Sequence, residues 1–146
     1  MTQIWTAKTV RETIREAFAV LLALPSRDSG PSTTSTWWPD SPFDPAELSE
    51  IRKVARRQKV ATDPQAISRM EKILIGDGKH KCWLREFLAD EPGIRRVIVA
   101  DALWSATATP FEIGCRRKGW AYSTTRRNRD KGAKMIAERL NAAGSN

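Results

Sequence analysis

Residues 109–140 read TPFEIGCRRKGWAYSTTRRNRDKGAKMIAERL, a stretch that parses into two helices separated by a glycine. Thr109-Pro110-Phe111-Glu112 has the form of a capping-box start, in which a hydroxyl accepts from the third helical N–H and a Glu reaches back to the cap. The short helix it opens is expected to end at Gly119, because glycine takes positive φ without the penalty of a Cβ. Cys115 falls on the inward side of that helix, and Trp120 packs inward after the turn. A second helix, from about Tyr122 to Leu140, carries Ala133, Ile136, Ala137 and Leu140 as its apolar stripe. Short helix, glycine turn and longer basic helix have the connectivity of a helix-turn-helix, whose second helix enters the major groove by its N-terminal turns.

Helical signals extend outward from this hairpin over most of the chain. Val10, Ile14, Ala17, Phe18, Leu21 and Leu22 recur at helical spacing behind Thr6 as N-cap, with Pro25 closing the element. Asp44-Pro45-Ala46-Glu47 combines an N-cap acceptor, proline at the first helical position and a Glu that completes a capping box, and predicts a helix over about 45–59. Asp63-Pro64 repeats the start signal for a helix carrying Ile67, Met70, Ile73 and Leu74, which stops near Gly76-Asp77-Gly78. Trp83, Leu84, Phe87 and Leu88 mark a short helix ended by Pro92-Gly93. Ile94, Val97, Ile98, Ala102 and Trp104 give a further buried helix, since Val97-Ile98-Val99 has no strand partner in sight. The expected class is all-α, with about six or seven helices and no internal repeat. The chain divides into an N-terminal helix (1–24), a Ser/Thr/Pro-rich loop (25–43), a helical body (44–109) and the helix-turn-helix (110–142). Within the loop, Trp37 and Trp38 are costly to leave in water and are expected to dock onto the body.

Composition narrows the function. The 146 residues fit one domain, and 25 Lys and Arg against 17 Asp and Glu leave a net charge of +8. No run approaches the roughly 18 apolar residues of a membrane span, the longest clean stretch being residues 17–24, so no membrane association is expected. Arg11, Glu12, Arg15 and Glu16 sit inside the N-terminal apolar segment, which does not read as a signal peptide. Cys82, Cys115 and the single His80 supply neither a disulfide framework nor the four ligands of a structural zinc site, so neither metal nor cofactor is expected. His80-Lys81-Cys82 lacks the companions of a nucleophile site, and Asp101, Glu112 and Asp130 form no recognisable acid-base pair; no enzymatic activity is expected. The expected location is the cytoplasm, in association with the nucleoid.

The charge is unevenly distributed. From residue 110 onward nine Lys or Arg face only Glu112, Asp130 and Glu138, so +6 of the +8 lies in the last quarter of the chain. Such asymmetry points to double-stranded DNA as partner. The candidate contacts are Arg116, Arg117, Lys118, Tyr122, Ser123, Thr124, Arg126, Arg127, Arg129 and Lys131, because hydroxyls and guanidiniums suit phosphate anchoring and bidentate reading of guanine. A second basic run surrounds Ile51, Val54 and Ala55 with Arg52, Lys53, Arg56, Arg57 and Lys59. It is either a solvated helix face or a set of secondary phosphate contacts.

Residues 119–140, GWAYSTTRRNRDKGAKMIAERL, resemble the C-terminal (region 4) helix-turn-helix of sigma factors, with a glycine turn, a Thr-bearing recognition helix and a distal Ala and Leu stripe. A wider resemblance, carried by WTAKTV (5–10), LLALP (21–25), WWP (37–39), PQAISRM (64–70) and WLREFL (83–88), is to an uncharacterised family of small phage and prophage helix-turn-helix proteins of alphaproteobacterial type. It implies a phage-related DNA-binding protein. The motif departs from its pattern at Gly114 and Lys118, at Ala121 where Ser usually caps the recognition helix, and at Asn128 and Arg129 where apolar residues are usual. The leading expectation is a transcriptional regulator acting with or near RNA polymerase. A DNA-packaging component resembling a small terminase subunit, working with phage packaging proteins, is the alternative. A helical adaptor whose basic tail binds an acidic protein is the third, and homo-oligomerisation is left open.

Overall fold

Asp44 and Asp63 open their helices as their Asp-Pro dipeptides predict, each side chain accepting the N–H three residues on. Glu47 also reaches back to the Asp44 N–H, so the capping box forms in full. The computed structural model describes residues 4–24, 41–60, 62–76 and 81–143. They form α1 (Ala7–Ala23), α2 (Pro45–Ala55), α3 (Pro64–Leu74), α4 (Trp83–Phe87), α5 (Pro92–Ala106), α6 (Phe111–Lys118) and α7 (Tyr122–Ala142). No strand occurs among the described residues, only an isolated bridge between Gly76 and Lys81, and the fold is all-α. Trp37, Trp38 and His80 lie outside the described residues.

Helix α5 organises the core. Residues 97–104 are all buried, as expected of a helix apolar on every side, and the ambiguous Val97-Ile98-Val99 is helical. Helices α1 and α7 pack against α5 and against each other, α3 covers the far side of α1, and α6 seats on the end of α5. Val10, Ile14, Ala17, Phe18 and Leu22 share one continuous core with Ala133, Ile136, Ala137 and Leu140, so both predicted stripes are buried except for Leu21, which is partly so. The helices α5 and α7 approach closely because Gly132 has no side chain. A Cβ there would stand 2.5 Å from the Ile94 methyl and 2.6 Å from Ile98.

At the other end of α7, Asn141 holds Trp5, two residues ahead of α1. Its carboxamide accepts from the Trp5 N–H at 2.8 Å and donates to the Trp5 carbonyl at 2.9 Å. Trp5 in turn stands edge-on to Trp83, with ring centroids 5.3 Å apart. With Trp5 at Asn141 and Arg11 at Asp130, α1 runs antiparallel to α7, and the last turn of α1 lies toward the first turn of α7.

Three local expectations are corrected. The helix predicted over 45–59 stops at Ala55, because Arg57 and Gln58 turn back with three-residue N–H bonds to Val54 and Ala55. Pro92 does not end the preceding helix but opens α5 at its first position, where its missing N–H costs nothing. The capping box at Thr109 does not form either. Pro110 occupies the N-cap with no side-chain cap, and the Thr109 hydroxyl bonds that of Thr107 at 2.9 Å.

Candidate nucleic-acid interface

Gly119 takes φ +72° at the end of α6, and the Trp120 N–H closes onto the Cys115 carbonyl at 2.9 Å. This six-to-one bond with a left-handed residue before it is the Schellman arrangement, which reverses the chain tightly into α7. The preceding turn, between α5 and α6, has the same form with a different residue. Ala108 carries φ +55° while the Thr109 N–H bonds the Trp104 carbonyl at 2.8 Å.

Three of the five departures from the usual helix-turn-helix pattern have a packing cause, and nothing in the structure explains Ala121 or Asn128. Gly114 lies flat against the Trp104 indole, where any Cβ would run into the ring. Lys118 stretches over the Phe43 ring at 4.6 Å, donates to the Pro42 carbonyl at 2.7 Å and meets Glu47 at 3.2 Å. Arg129 stacks on the Phe111 ring at 4.5 Å, so its planar fork fills a place that an apolar side chain would otherwise occupy. Cys115 is fully buried, and burial pushes its thiol above the ordinary range against the opposing effects of the Thr125 hydroxyl and the Arg129 charge. A thiol so placed stays protonated and unreactive.

The ten predicted contact residues separate into two sets. Arg116, Arg117, Ser123, Thr124, Arg126, Arg127 and Lys131 are exposed, as is Tyr122, whose ring leans toward Phe111. Among the described residues no carboxylate lies within ion-pair distance of Arg116, Arg117, Arg126, Arg127 or Lys131. Lys134, which was not singled out, is also exposed and continues the row of Arg127 and Lys131 at i+4 and i+7 spacing. Lys118 and Arg129 form the second set. Both are engaged within the fold, and their charges do not add to the outer surface.

Arg129 belongs to an ion network whose centre sequence reasoning missed. Arg15 donates from Nε and Nη2 to the two oxygens of Asp101 at 3.0 and 2.8 Å, and Arg129 Nη1 approaches the same carboxylate at 3.6 Å. Arg129 Nε also bonds Asp130 at 3.0 Å, which Arg11 meets at 3.7 Å. The hydrogen bond to Asp101 raises the pKa of the Arg15 guanidinium further, so it is fully charged. Three guanidiniums and two carboxylates thus tie α1, α5 and α7 together. A signal was present in the sequence: a lone Asp inside the apolar run 97–104 is tolerable only if a cation reaches it.

The leading turn of α7 is open. Ala121 as N-cap supplies no side-chain acceptor, Ser123 does not take over that role, and no acidic residue stands in the first turn. The N–H groups there meet no capping side chain, while the helix dipole places partial positive charge at the same end. Thr125 is turned inward, its hydroxyl donating to the Ala121 carbonyl at 2.7 Å. At the second basic run, Arg52 is half-buried and Lys53 pairs with Glu50 at 3.5 Å, whereas Arg56, Arg57 and Lys59 are exposed.

Among the described residues, no group of three or more His, Cys, Asp or Glu is arranged to hold a metal, and no helix is long and apolar enough to cross a membrane. In comparisons with known proteins the chain matches no family model, no curated protein and no solved structure.

Proposed function

We propose that the protein binds double-stranded DNA through the α6–α7 hairpin, with the first turns of α7 directed at the major groove. The observation that carries this reading is the concentration, around an uncapped helix start, of exposed cations that no carboxylate among the described residues pairs. Arg116 and Arg117 precede the turn, and Ser123, Thr124, Arg126, Arg127 and Lys131 follow it, all exposed. Backbone N–H groups at such a terminus favour a phosphate oxygen, and the guanidiniums one turn further on have the reach for base edges. The resemblance of residues 119–140 to the sigma region 4 helix-turn-helix makes a phage- or prophage-related transcriptional regulator the leading role.

Salt titration tests the binding. If the five unpaired cations each neutralise a phosphate, log affinity falls against log salt with a slope of about −4 to −5, and a flat response rejects the proposal. Replacing Arg126 and Arg127 with Ala weakens binding; loss of base preference in that variant places them in the groove, and a uniform loss places them on phosphate. Recovery of bound DNA from cells carrying the tagged protein tests the role. Sharp peaks beside promoters support regulation, and peaks beside terminase genes transfer the assignment to packaging.

A further inference from the structure

Of the predicted contact residues, Lys118 attaches the start of α2 to the hairpin, as Arg129 attaches α5. The Lys118 ammonium holds the Pro42 carbonyl and the Glu47 carboxylate and lies over the ring of Phe43, which itself stands edge-on to Trp104 with centroids 6.0 Å apart. The start of α2 is therefore fixed to the last turn of α6, immediately before the Gly119 reversal. Helix α2 also packs on α1 and α5, whose last turns lie toward the same end of the molecule as the start of α7. The second basic run thus belongs to a helix locked to the DNA-directed end of the fold.

The side chains on that run are not equivalent. Lys53 is balanced by Glu50, and Arg52 is half-buried. Arg56, Arg57 and Lys59 are exposed, stand at or just beyond the last residue of α2, and have no carboxylate within ion-pair distance among the described residues. One cation there answers the partial negative charge of a helix C-terminus, about half a unit; three full charges exceed it. From Glu47 to Arg56 the helix advances about 14 Å, a span that covers several phosphates along one DNA strand.

Resting on the DNA-binding reading above, we infer that Arg56, Arg57 and Lys59, at the far end of a helix whose start Lys118 fixes to the hairpin, form a second phosphate-binding surface that grips the duplex outside the groove entered by α7. Its partner is the sugar-phosphate backbone flanking the contacted bases, and it adds affinity without sequence preference.

The test uses the full chain, a random-sequence duplex of about 30 base pairs, and a salt titration of affinity. The unaltered protein is compared with Arg56→Gln/Arg57→Gln and with Arg126→Gln/Arg127→Gln. All four positions are exposed, and circular dichroism checks that each variant is folded. The α2 variant is expected to flatten the slope by about 0.9 per lost contact, close to 1.8 for both. An unchanged slope in that variant, beside a flattened slope in the α7 variant, overturns the inference and leaves the hairpin reading intact. Absence of binding by the unaltered chain overturns both.

Discussion

Arg126 and Arg129 stand one turn apart on the same helix and do opposite work. Arg126 is exposed with no carboxylate within ion-pair distance among the described residues, whereas Arg129 is stacked on Phe111 and shared between Asp101 and Asp130. Lys118 and Lys131 repeat the contrast, one clamped to Glu47 and the other exposed. A count of charge on this hairpin therefore overstates its outer surface. Cations already neutralised inside the fold hold the hairpin in place, and only those without an internal partner remain to attract an external anion.

The contrast is broken most severely at Asp101. Asp101→Asn removes the buried carboxylate that Arg15 grips with two nitrogens, and leaves Arg129 with Asp130 alone. A loss of about 3–5 kcal/mol in urea denaturation is expected, and a loss under about 1 kcal/mol would show that the network does not hold the helices together. Arg129→Met sharpens the comparison from the other side. It keeps a stem over Phe111 and leaves Asp101 paired to Arg15, so about 1–3 kcal/mol of stability is lost while the salt slope of DNA binding stays as it was. Arg126→Gln/Arg127→Gln should do the reverse, with stability within about 0.5 kcal/mol of the parent and the slope reduced. A variant of Arg129 that flattened the slope as much as the Arg126 and Arg127 pair would erase the distinction.

The smallest expected effect lies at the two ends of α6. Gly119 and Ala108 adopt similar left-handed backbones, but only Ala108 carries a Cβ there. Ala108→Gly should raise stability by about 0.5–1 kcal/mol, read as a higher thermal midpoint, because the steric penalty removed exceeds the extra freedom of the unfolded chain.

What could be read from the sequence followed the range of the interactions involved. Helix starts at Thr6, Asp44 and Asp63, the turn at Gly119 and the buried stripes of α1 and α7 depend on residues three or four apart, and each is found where expected. Pro92 was misplaced because proline punctuates helices from both sides; whether it closes one or opens the next depends on how Leu88 packs, which is a tertiary matter. The same holds for Thr109, whose hydroxyl had a nearer partner in Thr107. At the candidate interface, periodicity could not distinguish Arg129 from Arg126, since the deciding residues, Asp101 and Phe111, sit on other helices. Gly114 departs from the motif because the Trp104 indole, on another helix, occupies the space a side chain would need.

The clasp between Trp5 and Asn141 joins residues 136 positions apart. During synthesis α1 emerges with Val10, Ile14 and Phe18 uncovered; α3 and α5 cover part of it as they follow, and the share that α7 covers stays open until residues 122–142 are made. At about 5–20 residues per second, that share waits on the order of ten seconds for its partner, an interval in which a nascent chain is open to chaperones and to aggregation. Contacts of such long sequence separation also slow the final closure relative to a bundle built from neighbouring helices. The helix proposed to meet DNA is therefore also one that closes part of the core around α1.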